Sequence, residues 1–234
     1  MPRTRFLFAA AALTTLGCTG GGESATSDSG AVGELMPLVT TLIGETGGMK
    51  TPESVRYDSE VDAYFVANID GNPSQKDGKA FIAMIPAESL SVMRVLVEGG
   101  KGGATLNAPK GMAISGDTLW VADIDAVRGF NKRTGAPVAT IDLSSQQATF
   151  LNDLALGPNG ALYVTDSGIR FDANGAMTHP GADRIFRISV RTVSEVLSGD
   201  SLAAPNGLTW HGATGVWILA PFGSPDVQTW SEGQ

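Results

Sequence analysis

FLNDLALGPNGALYVTD, residues Phe150 to Asp166, holds a short apolar strand, a turn of Gly157-Pro158-Asn159-Gly160, a second strand and a closing acid. The same plan recurs as PESVRYDSEVDAYFVAN from Pro52, PKGMAISGDTLWVAD from Pro109 and PNGLTWHGATGVWILA from Pro205. Counted from Pro52, Pro109, Leu151 and Pro205, the units start 57, 42 and 54 residues apart. Periods of this size, built from short strands and glycine turns, are the mark of propeller blades.

Within a unit such as Gly111–Ile114 followed by Thr118–Ala122, β-branched and aromatic residues dominate the second strand. Third strands are expected at Lys79–Ile85, Val127–Asn131, Asp183–Ser189 and Asp226–Trp230, and a fourth at Pro137–Leu143 after the turn Lys132-Arg133-Thr134-Gly135. Apolar runs are short and broken by glycine, proline or Asp/Asn turns, which argues against helices. The expectation is an all-β protein, a β-propeller of about four blades. A β-sandwich has similar strands but needs no such repeat.

The fourth unit stops after its third strand, and Leu35–Ile43, LMPLVTTLI, is a strand without a blade. Two arrangements follow: a C-terminally truncated six-bladed propeller, in which Leu35–Ile43 would complete an absent blade, or a four-bladed ring closed by it. The first is the expectation carried forward, with the propeller domain at residues 34–234.

The N-terminus reads differently. Arg3 and Arg5 precede an apolar run from Phe6 to Leu13, the plan of an export signal and too short for a permanent membrane span. Thr15-Leu16-Gly17-Cys18 resembles the lipobox of bacterial lipoproteins, with threonine where leucine is usual. Residues 1–17 are therefore expected to be a lipoprotein signal peptide and Cys18 the lipidated residue. The alternative is an ordinary secretory signal. Cys18 is the only cysteine, so no internal disulfide can form. Residues 18–33, small, polar and glycine-rich, are expected to be a flexible tether. The resulting localisation is exported and membrane-anchored, periplasmic or at the cell surface, and in the outer membrane of a Gram-negative cell because Thr19 is not aspartate.

Composition limits the partners. With 42% hydrophobic and 17% charged residues the chain can build one globular core. Loss of Arg3 and Arg5 with the signal leaves 14 of 16 basic residues against 24 acidic ones, a net charge of −10. That excludes nucleic acid as a natural partner.

Strands of a blade run up and down, so residues entering first strands and leaving second strands share one mouth of the propeller. The entering set is Glu53, Lys110, Asn152 with Asp153, and Asn206; the leaving set is Asn68 with Asp70, Asp123 with Asp125, and Asp166. Carboxylate and amide oxygens without histidine or thiol suit a hard divalent cation, calcium or magnesium, rather than zinc. The same residue types also cap turns. His179, in the long loop before Asp183, and His211, in a turn, stand beside no nucleophile and are expected to be structural. The loop Arg170–Ala182 is a candidate lid, with Arg170 and Phe171 as contacts. Trp120, Tyr163 and Trp217, aligned on second strands, are expected to fill the space between blades.

At these residues the chain resembles the regucalcin/gluconolactonase (senescence marker protein) family of six-bladed propellers, and more loosely the NHL-repeat propellers. The resemblance rests on Pro52-Glu53-Ser54, Leu151-Asn152-Asp153 and Pro205-Asn206-Gly207-Leu208. It implies a metal-dependent lactone hydrolase in which Glu53 and Asn206 bind the metal and Asn152 holds the substrate. The sequence departs from the pattern at Phe150, where the family commonly has arginine, and it has no counterpart of the Pro-Asp-Gly motif that supplies a further metal ligand. Two functions follow. One is metal-assisted hydrolysis of a sugar lactone or related ester, with Asp153 as general base or as a loop tie. The other is a non-catalytic, surface-tethered propeller that binds a small molecule or a protein partner.

Overall fold

The computed structural model describes residues 42, 44–190 and 192–232. The signal, the tether, Cys18 and the strand expected at Leu35–Ile43, apart from Leu42, lie outside these residues.

The chain forms four antiparallel sheets in sequence order, arranged as propeller blades. The first blade contains β1 (Pro52–Asp58), β2 (Ala63–Asn68), β3 (Phe81–Pro86) and β4 (Arg94–Glu98). The second contains β5 (Pro109–Ser115), β6 (Thr118–Asp123), β7 (Ala126–Asn131) and β8 (Pro137–Asp142). In the third, β9 (Leu151–Leu156) and β10 (Leu162–Asp166) are followed by a ribbon, β11 (Arg170–Phe171) with β12 (Met177–Thr178), before β13 (Arg184–Ser189) and β14 (Thr192–Ser198) complete the sheet. The fourth has three strands, β15 (Pro205–His211), β16 (Val216–Pro221) and β17 (Gln228–Trp230). The strands read from the sequence between Pro52 and Trp230 are therefore present, with ends shifted by a few residues. Helix is confined to two single turns, Ser144–Gln146 and Asp200–Leu202, among the described residues.

Register explains why the chemistry gathers at one end. Pro52 pairs with Asn68, Pro109 with Asp123, Leu151 with Asp166 and Pro205 with Pro221, so each first strand begins beside the end of its second. The inner strands β1, β5, β9 and β15 pack side by side in that order. Gly111 makes this possible at the mouth, because a Cβ there would collide with Asp153 and with the carbonyl of Asn152.

Apolar faces pack between blades. Phe65, Ile82 and Leu96 meet Met112, Leu119 and Phe130; Val127 and Ile141 meet Leu154, Val164 and Phe186; Tyr163 and Ile185 meet Leu208, Trp217 and Leu219. Each fully buried side chain of this kind contributes about 1.5–3 kcal/mol. A buried ion pair also joins the first two blades, Lys132 Nζ donating to Asp58 Oδ2 at 2.9 Å.

The aromatic alignment needs one correction. Counting from the strand starts, Ala113 pairs with Trp120 and Ala155 with Tyr163, but Thr209 pairs with Ile218. Trp217 is buried as expected, yet it lies one residue out of phase with Trp120 and Tyr163. It faces back onto Tyr163, with ring centroids 4.2 Å apart. The residue in phase in the first blade is Phe65, opposite Arg56.

Candidate functional site

Three blades deliver one side chain each to a common cavity. Glu53 stands at the start of β1, Asn152 on β9 and Asn206 on β15, and all three line a cavity of about 210 Å³ together with Ser54, Arg56, Gly111 and Asp153. The residues that the sequence placed at the mouth as cation or substrate contacts are thus brought together.

Their free valences differ. Asn152 is buried, and its Nδ2 donates to Ser167 Oγ at 3.0 Å, while Ser167 Oγ donates to the Pro205 carbonyl at 2.6 Å. That relay fixes the amide and leaves its oxygen for a ligand. Neither the Glu53 carboxyl nor the Asn206 amide is engaged in a hydrogen bond among the described residues; Asn206 contributes only its backbone carbonyl, to Thr165 Oγ1.

Asp153 is committed. Its Oδ1 accepts from Leu154 N at 2.8 Å and its Oδ2 from Leu208 N at 2.8 Å, with the Arg56 guanidinium 3.5 Å away. It ties β9 to β15 two residues beyond Asn206, the loop-tying role that the sequence left open. Burial pushes its pKa up, resisted by Leu208 N–H, Arg56 and Leu154 N–H.

Glu53 is exposed as a residue on the open side of β1, but desolvation of its carboxyl raises the pKa to about 7. Lys110 opposes that rise and Asp153 adds to it. Lys110 itself is almost wholly buried, and desolvation lowers its pKa to about 8 against the pull of Asp123, Glu53 and Asp166. Its ammonium donates to Pro73 O at 3.1 Å and to Ala108 O at 3.0 Å and sits over the Phe150 ring. Sequence reasoning placed Lys110 at the mouth without a role, because a lysine opening a strand usually reaches solvent.

Three residues leaving the second strands spend their side chains on groups nearby. Asp123 accepts from Asn107 N, Ala108 N and Arg128 Nε; Asp166 accepts from Thr149 N, Phe150 N and Gly168 N; Asn68 Oδ1 accepts from Lys50 N. Each clamps the segment that enters its own blade, the turn-capping alternative. Asp125 is paired with Lys76 at 2.5 Å. His179 bonds Asp183 and His211 bonds Thr214, structural roles as expected.

The candidate lid is the β11–β12 ribbon. It reaches the first blade, where Phe171 N donates to Ser74 Oγ at 2.9 Å and Asn72 Nδ2 to Asp172 O at 2.6 Å. Phe171 lines a second cavity at the mouth, whereas Arg170 is exposed and does not. Phe222 lines that cavity too, and nothing in the repeat pattern marked it.

Among the described residues no three His, Cys, Asp or Glu side chains converge on a point suited to an ion. A cation at Glu53 and Asn206 would have one carboxylate and one amide oxygen, a hard, weakly charged donor set that fits calcium or magnesium completed by water and substrate.

No protein-family model matches the sequence, and no curated protein matches it. Solved structures do. A luciferin-regenerating enzyme aligns with TM-score 0.55 and 15% identity, covering 79% of this chain and 57% of its own. Regucalcin from Agrobacterium tumefaciens, described as a calcium-binding protein, aligns with TM-score 0.53 and 16% identity over 77% of this chain and 54% of its own. A protein proposed to be a 6-phosphogluconolactonase, from Bacteroides uniformis, gives 0.53 and 13% over 82% and 55%. The chain thus spans between 54% and 57% of these three proteins. What the likeness establishes is the fold: this chain is a β-propeller similar to regucalcin-like and lactonase-like propellers.

Proposed function

We propose that the mouth is the active site of a metal-assisted hydrolase of a lactone or related ester. The observation that carries this reading is the convergence of Glu53, Asn152 and Asn206, from three blades, on one cavity with side-chain oxygens that the protein does not use. Resemblance of the surrounding motifs to the lactonase-type propellers, and the calcium-binding description of one structural neighbour, support it.

In this reading Glu53 and Asn206 hold a divalent cation, which when bound polarises a carbonyl and lowers the pKa of water. Asn152 orients the substrate, its amide held by Ser167 so that little freedom is lost on binding. Asp153 is a positioning residue: with both oxygens accepting N–H bonds, it fixes the spacing between the strands of Asn152 and Asn206. The proposed setting is an exported protein anchored to a membrane through lipid on Cys18.

A panel of lactones assayed on the full chain, with chelator and after restoring calcium or magnesium, tests the reading. Metal-dependent turnover, lost about a hundredfold or more in Glu53→Gln, is expected. Absence of metal-dependent turnover would leave the second reading, a propeller that binds a ligand without converting it, which the committed oxygens of Asp153 favour.

A further inference from the structure

Glu53, Asn152 and Asn206 border not one cavity but two. On one side is the polar cavity that holds Arg56 and Asp153; on the other is a cavity of about 190 Å³. The walls of the second are Ile69, Phe150, Ile169, Phe171 and Phe222. Phe150 and Ile169 are buried and belong, with Phe171, to one apolar cluster, and the Phe150 and Phe171 rings lie 5.8 Å apart at 48°.

The one strongly polar group in that wall besides the shared trio is already engaged. The Lys110 ammonium gives two of its three N–H donors to Pro73 O and Ala108 O and lies against the Phe150 face. Hydroxyl groups of a polyol placed against these walls would give up water for rings and methyl groups, beyond the trio that holds the lactone itself. An apolar substituent would gain what the polyol loses. Phe222 adds a further sign: its ring is 58% exposed at the rim, on a backbone pinned by its N–H to Ala204 O at 2.8 Å. A flat ligand group would cover it.

We infer that the mouth selects a lactone or ester carrying a single-ring aryl or a short alkyl substituent, seated between Phe150, Phe171 and Phe222, and disfavours a polyhydroxylated sugar lactone. This inference rests on the site proposed above. The volume of about 190 Å³ admits one ring.

The test uses the full chain with calcium and hydrolysis-resistant lactams: γ-phenyl-γ-butyrolactam, unsubstituted butyrolactam and the lactam of gluconic acid, with binding followed by calorimetry. The phenyl compound is expected to bind at least about tenfold more tightly than either other, a difference of about 1.4 kcal/mol. Phe222→Ala, at an exposed position that leaves the fold intact, and Phe171→Ala should each remove most of that preference; Asn152→Ala should weaken all binding lactams alike. The corresponding lactones are then assayed for turnover. If the phenyl lactam is preferred but no lactone is cleaved, the inference stands and the hydrolase reading falls. Best turnover of gluconolactone leaves the hydrolase and overturns the inference, as does binding of the gluconic lactam at least as tight as the phenyl one, a preference unmoved by both phenylalanine variants, or no binding of any lactam.

Discussion

The Nζ of Lys110 lies 4.0 Å from the centre of the Phe150 ring, so an ammonium from the second blade caps the residue two positions before Asn152 of the third. An ammonium over an aromatic face is stabilised by the ring quadrupole, and more so when desolvated. At position 150, where the motif resemblance implies arginine, the chain has a ring, and a cation reaches it from the neighbouring strand.

Lys110→Met removes that cation and strands the carbonyls of Pro73 and Ala108 in a buried site. Each unpaired acceptor costs about 1–3 kcal/mol, so a loss of about 2–5 kcal/mol in unfolding free energy is expected. Carbon-detected NMR titration provides a second readout: with its favourable neighbour gone, the Glu53 pKa should move above its present value of about 7. A pKa that stays or falls contradicts the assignment.

Glu53 also makes stability depend on pH. In the unfolded chain this carboxyl titrates near its ordinary 4.5 and in the folded chain near 7. Between those values the folded state binds more protons, so its contribution to stability declines as pH rises; below and above the window both states are alike and it is constant. In metal-free protein, Glu53→Gln should therefore gain on the native chain as pH rises from 4.5 to about 7 in urea unfolding. A gap that narrows with rising pH would refute the sign.

Asp166→Ala breaks the clamp on Thr149, Phe150 and Gly168. A cost of about 2–4 kcal/mol is expected, against less than about 1 kcal/mol for Asp125→Ala, whose partner Lys76 is largely exposed. Equal costs for the two would show that the clamp contributes no more than a surface pair.

Asn72→Ala or Ser74→Ala frees one docking bond of the β11–β12 ribbon. A bond of about 1 kcal/mol corresponds to roughly fivefold faster proteolysis or hydrogen exchange around Asn174 and Gly175. Unchanged rates would mean that the ribbon is held by Phe171 packing alone.

Cys18→Ser is expected to move the full-length protein from the membrane fraction to the soluble fraction. Retention in the membrane fraction would refute lipidation at this residue.

Much of the fold was legible because the units repeat: the strand order, the shared end of each sheet and the meeting of Glu53, Asn152 and Asn206 all follow from where proline and asparagine open the first strands. Three things were not. Trp217 was aligned by its aromatic character, whereas pairing of Pro205 with Pro221 sets the register and shifts it by one residue. Asp123 and Asp166 have a composition that serves a cation or a turn equally well, and only the positions of Asn107, Ala108, Thr149 and Phe150 decide between them. Phe222 and Lys110 acquire meaning from neighbours a blade away, which local pattern does not contain.

The clamps do not fall in the same way on all four blades. In the first three blades a side chain at the end of the second strand accepts from the backbone at the same blade's own threshold. The fourth has Pro221 at that place, and the N–H of Ala204, just ahead of β15, is taken instead by Asp183 of the third blade at 2.7 Å. The fourth keeps the backbone part of its own latch, Phe222 N–H to Ala204 O at 2.8 Å, but borrows the carboxylate part from the third blade, so a change at Asp183 loosens the entrance of the blade after it.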